Sequence, residues 1–122
     1  TEYQPKQLHD RIICNPPFGV LKHSNGRVRQ FTLPGSRRST TQIDQVIALR
    51  ALETMKPDGR AVLILGGKLG EDDDRRSERY NSLESRRFFR VLYDQYNVTQ
   101  HLSIRGALYR KQGAGFPIDL IV

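Results

Sequence analysis

Asp10-Arg11-Ile12-Ile13-Cys14-Asn15-Pro16-Pro17-Phe18-Gly19 joins a short apolar run to two adjacent prolines. Proline has no backbone N–H donor and fixes its own φ angle, and the residue before a proline is driven into an extended conformation. A strand that reaches these prolines therefore has to end there. The stretch predicts a short buried strand over residues 11–14 that stops at Asn15, with an amide side chain, a rigid turn and an aromatic ring directly after it.

Composition limits the classes of protein that this stretch can belong to. The 122 residues are enough for one domain, and their formal net charge is +7. Such a charge favours polyanionic partners, nucleic acid first, although a solvated basic surface is a common alternative. No apolar run approaches the ~20 residues that a membrane span needs. Cys14 is the only cysteine, which is compatible with a cytoplasmic location, and the scattered histidines predict no metal site.

The positive charge is concentrated after the prolines, because no Asp or Glu occurs between Arg11 and Ile43. Residues 20–40 are rich in Gly, Ser, Asn and Arg and show no period, which predicts a long mobile basic loop without secondary structure. Such a loop is either a solvated connection or a segment that contacts the substrate. Its basic residues are Lys22, Arg27, Arg29, Arg37 and Arg38.

The segment that follows is periodic. Thr41, with Asp44 three residues further on, resembles a capping box, and apolar residues then recur at helical spacing. Residues 56–59 contain a proline and a glycine, which predicts that the helix ends there. The continuous apolar run over residues 61–65 predicts a parallel strand covered on both faces.

A second helix and two strands complete the pattern. The helix is predicted to start at Asn81 or Ser82, and residues 98–104 and 116–122 are predicted to pair as a hairpin. Alternation of strands and helices indicates an α/β fold with a mostly parallel sheet and an antiparallel pair at its end.

The proline motif carries a resemblance to a known family. Asn15-Pro16-Pro17-Phe18 resembles the Asn/Asp/Ser-Pro-Pro-aromatic signature of S-adenosylmethionine-dependent amino methyltransferases, where it closes the fourth strand. Residues 52–65 resemble the next helix end and fifth strand of the N6-adenine DNA methylases, whose sixth and seventh strands correspond to the terminal hairpin. Residues 109–117 are similar to the methylase portion of strawberry-notch-type methylase–helicase proteins. The resemblance implies one partial domain over residues 1–122: the second half of a Rossmann-like class I methyltransferase sheet, flanked by helices.

The resemblance also implies roles for the motif. The Asn15 side-chain oxygen and the Pro16 carbonyl would accept the two N–H groups of an exocyclic amine. Pro16 and Pro17 would stiffen the position of that carbonyl. Phe18 would stack on the base, which has to be flipped out of a duplex to reach such a pocket. Adenine N6 in DNA is the expected target, and the basic loop is expected to bind the nucleic acid.

Other interpretations stay open at this point. Asn-Pro-Pro also occurs in ordinary turns, and the same signature serves enzymes that methylate guanine N2 in RNA or glutamine N5 in proteins. The chain could also be a non-catalytic module, derived from a methyltransferase, that binds nucleic acid or a partner protein.

The expected cofactor is S-adenosylmethionine, and Asn15 is the one residue to which the resemblance gives a contact with it. The family's glycine-rich turn and its acidic ribose ligand belong to the first half of the sheet. We therefore expect the rest of the cofactor site outside this chain, in a missing N-terminal half that acts as its partner. The chain alone is expected to be inactive and to bind S-adenosylmethionine weakly or not at all.

Overall fold

The computed structural model describes residues 7–66, 82–104 and 118–122 of the chain. The described elements are, in chain order, β1 (His9–Cys14), β2 (Phe31–Thr32), β3 (Ser39–Thr40), α1 (Ile43–Leu52), β4 (Met55–Gly66), α2 (Leu83–Gln95), β5 (His101–Ile104) and β6 (Ile118–Ile121). This order confirms the α/β class. The turn expected between the last two strands and the segment 109–117 lie outside the described residues.

Four strands form one mixed sheet in the order β1-β4-β6-β5. β1 and β4 are parallel, with Cys14 beside Leu63, so the carboxyl ends of these two strands lie at the same edge of the sheet. β6 is antiparallel to both β4 and β5, so the prediction of a mostly parallel sheet is wrong for the described strands, which make one parallel and two antiparallel pairings. The predicted antiparallel pairing of the last two strands, β5 and β6, is confirmed. Of these two strands, β6 is the one that pairs with β4.

The hydrophobic core lies between one face of this sheet and the two helices. Its residues are Cys14, Leu33, Ala48, Leu49, Leu52, Leu63, Leu65, Phe88, Val91, Leu92 and Ile121. The prediction that residues 11–14 form a buried strand is confirmed only for Cys14, because Arg11 is exposed, Ile12 is half-buried and Ile13 is 81% exposed. Successive side chains of a strand point to opposite faces, and the described helices cover only the face that carries Cys14. For the same reason β4 buries Leu63 and Leu65 but leaves Val62 and Ile64 half-buried.

The N-terminus of α1 differs from the prediction. Its N-cap, Gln42, makes no side-chain capping hydrogen bond. The predicted capping box of Thr41 and Asp44 is wrong because both side chains are bonded elsewhere. The Thr41 hydroxyl donates to the Glu84 carboxylate at 2.8 Å, and Asp44 Oδ2 accepts from the Gly66 N–H at 3.2 Å.

The C-terminus of α1 also differs, because the helix ends at Leu52 and not at residues 56–59. Thr54 closes the last turn: its N–H and its hydroxyl donate to the Ala51 carbonyl at 3.0 and 2.7 Å. Residues 56–59 belong to β4, opposite a shift in the register of β1. A bulge is one of the few places where a sheet accommodates a proline such as Pro57.

The predicted start of α2 is confirmed. Ser82 is its N-cap, and the Ser82 hydroxyl accepts a hydrogen bond from the Ser85 N–H at 3.3 Å. Phe88 and Leu92 of this helix are buried, whereas Tyr93 is exposed. Neither of the described helices is long and apolar enough to span a membrane.

Residues 20–40 contain two short hairpins, so the prediction of a stretch without secondary structure is wrong. We call residues 20–30 the first hairpin, in which Lys22 and Val28 form an antiparallel bridge. We call residues 31–40 the second hairpin, in which β2 pairs antiparallel with β3. The mobility of this segment stays a prediction.

Candidate functional site

The Asn15-Pro16-Pro17-Phe18 motif leaves the sheet at the carboxyl end of β1. Asn15 directly follows Cys14, the last residue of the strand, so the strand ends where the prolines predict. Asn15 and Pro17 are exposed, whereas Pro16 is buried. Open α/β sheets bind their ligands beyond the carboxyl ends of the strands, and the motif therefore lies where a ligand site is expected.

Two acceptor oxygens of the motif make no hydrogen bond within the described part of the chain. Among the residues that the structure describes, neither the Asn15 side chain nor the Pro16 carbonyl takes part in a hydrogen bond. Asn15 is exposed, so its amide oxygen can accept from water or a ligand, whereas the carbonyl of the buried Pro16 is an acceptor without a partner in this part of the chain.

The Phe18 ring lies on the last residue of β4. A Cβ atom built on Gly66 would be 2.9 Å from Phe18 Cγ, which is closer than real atoms approach. Only a glycine at position 66 therefore allows this contact. Phe18 remains 43% exposed, so part of the ring is available for stacking.

The first turn of α1 holds the other end of the motif. The Ile43 N–H donates to the Gly19 carbonyl at 3.0 Å, which satisfies one of the free N–H groups of the helix N-terminus. Val20 forms an antiparallel bridge with Gln42. The motif is thus anchored to β1 before Asn15 and to α1 after Phe18.

Asp44 lies behind the motif as a buried carboxylate. Its Oδ2 accepts the Gly66 N–H, and its Oδ1 is buried without a hydrogen-bond partner among the described residues. Burial raises the pKa of Asp44, against the opposing effect of nearby backbone N–H groups, that of Gly66 first. Sequence reasoning missed this role because the spacing from Thr41 pointed to a helix cap.

A cavity of about 30 Å³ adjoins Gly66, with Asp44, Ser85 and Asp119 in its lining. This volume is sufficient for one water molecule. Asp119 is buried on β6, and its carboxylate lies 3.5 Å from Nε2 of His101. Sequence reasoning also missed Asp119, for which the available signal was a lone aspartate in an apolar strand. No group of three or more His, Cys, Asp or Glu side chains in the described ranges could hold a metal ion.

The first hairpin starts directly beyond the motif and contains three of the predicted basic residues. Lys22, Arg27 and Arg29 are exposed, like every other residue of this hairpin. The Arg29 N–H donates to the Leu21 carbonyl at 2.7 Å, which places Arg29 at the base of the hairpin. The Arg29 guanidinium lies 5.2 Å from the centroid of the Phe31 ring, a cation–π distance.

The second hairpin contains Arg37 and Arg38 and lies along α2. Its chain from Gly35 to Thr41 runs in the direction opposite to that of the helix. At one end the Thr41 N–H donates to the Glu84 carboxylate at 2.7 Å. At the other end Gln95 Nε2 donates to the Gly35 carbonyl at 3.1 Å. Glu84 and Gln95 are separated by about 16 Å along the helix axis. Lys22, Arg27 and Arg29 thus follow the motif directly in the chain, whereas Arg37 and Arg38 belong to the hairpin whose turn, at Gly35, contacts the C-terminal end of α2.

The basic residues of both hairpins have no carboxylate partner within the described part of the chain. The ion pairs there join Arg50 to Glu53, Lys56 to Asp10 and Arg90 to Asp94. The positive charge of the hairpins is consequently available to an anionic ligand.

Comparison of the chain with protein-family models, with curated proteins and with solved structures found no match.

Proposed function

We propose that this chain is the second half of a Rossmann-like class I methyltransferase domain that transfers a methyl group from S-adenosylmethionine to an exocyclic amino group of a nucleic-acid base, adenine N6 in DNA. The observation that carries the proposal is the position of Asn15-Pro16-Pro17-Phe18 at the carboxyl end of β1, beside the carboxyl end of the parallel strand β4. The resemblance equates these strands with the family's fourth and fifth. Their parallel pairing supports this correspondence, and the antiparallel pair of β5 and β6 supports that of the sixth and seventh.

The free oxygens of the motif suit an amine substrate. The amino group of adenine is a poor nucleophile because its lone pair is delocalised into the ring. The Asn15 side-chain oxygen and the Pro16 carbonyl accept its two N–H groups and direct the lone pair at the methyl carbon. Fixed acceptors of this kind contribute to rate because they need no reorganisation during the reaction.

S-adenosylmethionine, when bound, supplies a methyl group on a positively charged sulfur. Transfer to the amine would form the new N–C bond as the C–S bond broke, with the electron pair of the broken bond left on sulfur. The nitrogen then loses one proton to water, which leaves the amine monomethylated. Neither step needs a strong general base, and the motif contains none.

The described residues fit the amine better than the cofactor. The free acceptors of Asn15 and Pro16 and the partly exposed ring of Phe18 suit a flat amine. The described ranges contain no glycine-rich turn between a strand and a helix, which is the feature that the resemblance implies for S-adenosylmethionine. We assign a cofactor contact to Asn15 and the remaining contacts to the first half of the sheet.

The open edge of β1 is where we place that first half. β1 pairs with β4 on one side, and no described strand pairs with its other side. Next to this edge a groove of about 500 Å³ runs between β1 and α1, lined by Ile12, Ile13, Val46 and Ile47 among others. A further parallel strand and helix would cover both the unpaired edge and the apolar groove, each of which is unfavourable when left open.

The test of catalysis is the exchange Asn15→Ala in the full-length protein. It removes one of the two acceptors, so we expect methyl transfer to fall by about 100- to 1000-fold, as for the loss of one preorganised polar group. Cofactor affinity, measured by titration calorimetry, should change much less. Asn97→Ala is the matched control, because Asn97 is an exposed asparagine at the C-terminal end of α2. Near-normal turnover of Asn15→Ala would contradict the proposal.

The substrate is tested by offering labelled S-adenosylmethionine with duplex DNA, the same duplex already methylated at adenine N6, RNA, and a glutamine-containing peptide. Transfer to the unmodified duplex alone is the expected result. Transfer to RNA or to the peptide would select the guanine-N2 or glutamine-N5 alternative. Binding of DNA without transfer to any substrate would indicate a non-catalytic binding module.

A further inference from the structure

Asp44 is a costly residue at its position. It is only 5% exposed, and no described residue forms a hydrogen bond with its buried Oδ1 atom. Burying an incompletely bonded carboxylate opposes folding. A well-packed apolar side chain at the second position of α1 would avoid this cost, so Asp44 contributes something that an apolar side chain does not.

The hydrogen bond from Gly66 to Asp44 connects this carboxylate to the motif. Gly66 is the residue on which the Phe18 ring lies, close enough that even one additional methyl group would collide with the ring. The preceding residue, Ile43, bonds the Gly19 carbonyl. Two consecutive residues of α1 therefore define the position of Phe18. Ile43 bonds the residue that follows Phe18, and Asp44 bonds Gly66, on which the Phe18 ring lies.

We propose that Asp44 is a positioning residue for Phe18: its carboxylate holds the end of β4 where the Phe18 ring can lie on Gly66. On the proposed function, on which this inference rests, the exposed part of that ring is the surface on which the flipped base stacks. Asp44 then acts on the substrate through Gly66 and Phe18 and touches neither substrate nor cofactor. Its hydrogen bond to Gly66 needs an acceptor oxygen but no negative charge.

The position of the ring can be measured without any activity, because the chain contains no tryptophan. Phe18→Trp places a single indole on Gly66, and its emission and its quenching by acrylamide report how closely the ring packs. Adding Asp44→Ala should shift the emission to the red and increase quenching. Asp44→Asn, which keeps an acceptor oxygen for the Gly66 N–H, should leave both unchanged. The control is Thr54→Ala, which removes a buried polar side chain from the other end of α1 and should not change the signal of the indole.

Circular dichroism shows whether each variant is folded. If Asp44→Ala does not fold, Asp44→Ser replaces it, because a serine hydroxyl is too short to reach Gly66 but leaves a smaller void. Unchanged emission in a folded variant would overturn the proposal. Failure of both variants to fold would also overturn it, since Asp44 would then be required for the fold as a whole.

A double-mutant cycle in the full-length protein separates positioning from general stability. Phe18→Ala should lower kcat/KM for the target DNA by about 5- to 150-fold, the range for loss of one base–aromatic stack. Asp44→Ala should lower it by no more than that, and should have little further effect once Phe18 is already alanine, because residues that act through one contact are not additive. Independent, multiplying effects would overturn the inference. If the full-length protein transfers no methyl group at all, the proposed function fails, but the emission of the indole still tests Asp44.

Discussion

The first and second hairpins follow each other in the chain and both contain basic residues, but they relate to the core in opposite ways. Every residue of the first hairpin, 20–30, is exposed. The second hairpin, 31–40, inserts Leu33 into the core at 0% exposure and buries Thr40, whose hydroxyl donates to Gln45 Oε1 at 2.7 Å. Similar composition therefore produces a projecting arm in one case and a part of the core in the other.

This difference indicates two separate roles, stability and ligand binding, which the number of basic residues in each hairpin does not distinguish. A hairpin packed along α2 contributes to stability, and its arginines are fixed by where that packing places them. A hairpin with no buried side chain contributes little to stability, so its cations are the feature that remains to be explained. We therefore expect changes in the second hairpin to affect folding and changes in the first to affect ligand binding.

The largest expected effect is on stability. Leu33→Ala leaves a cavity in the core and should lower the free energy of unfolding by about 2–5 kcal/mol. The same change at Leu21, which is 42% exposed in the first hairpin, should change it by less than about 0.5 kcal/mol. Urea unfolding of the two variants measures both values. Equal losses would mean that the two hairpins do not differ in their contribution to the core.

The next effect concerns nucleic acid. Each phosphate contact that is lost should flatten the dependence of affinity on salt by about 0.9 in the log–log slope on duplex DNA. The triple exchange of Lys22, Arg27 and Arg29 to Ala should flatten this slope and weaken binding across all sequences, because phosphate contacts carry no sequence information. The paired exchange of Arg37 and Arg38 to Ala should have a smaller effect, since these residues belong to the hairpin that packs along α2.

Fluorescence anisotropy at several salt concentrations measures both variants. Equal changes for each charge removed would show that the two hairpins contact the DNA alike. An unchanged slope in both would make the segment a solvated connector, and would favour the glutamine-substrate or partner-binding alternatives.

The smallest expected effect is a difference in stability between variants of the two hairpin turns. Gly26 and Gly35 have positive φ angles of 82° and 78°, so alanine at either position should cost about 1–2 kcal/mol. A Cβ at Gly35 would also lie 2.7 Å from Gln95 Nε2, whereas one at Gly26 would meet nothing within 4 Å. Gly35→Ala should therefore lose slightly more stability than Gly26→Ala, by the cost of moving one exposed side chain. Thermal unfolding of both variants tests this, and an equal loss would show that Gln95 moves freely.

Local covalent and hydrogen-bonding rules made some features predictable from sequence. Two prolines end β1 at Cys14 because they cannot continue a strand, and Ser82 caps α2 because its hydroxyl reaches the first turn. The same kind of rule was misleading at Thr41 and Asp44, whose spacing fits a capping box. There Glu84 and Gly66, which are distant in sequence, offered better partners.

The sequence by itself determined that this is an α/β chain, that a strand stops at Asn15, and that an acid-free basic segment follows the motif. The stop at Asn15 depends on residues next to one another, and the other two features depend on spacing and composition along the chain. Only the tertiary structure decided that Phe18 lies on Gly66, that Asp44 lies buried beneath them, and that one hairpin joins the core while the other remains exposed. Those features depend on which residues meet when β1, α1, β4 and α2 pack together, and packing between distant segments has no signal in local sequence spacing.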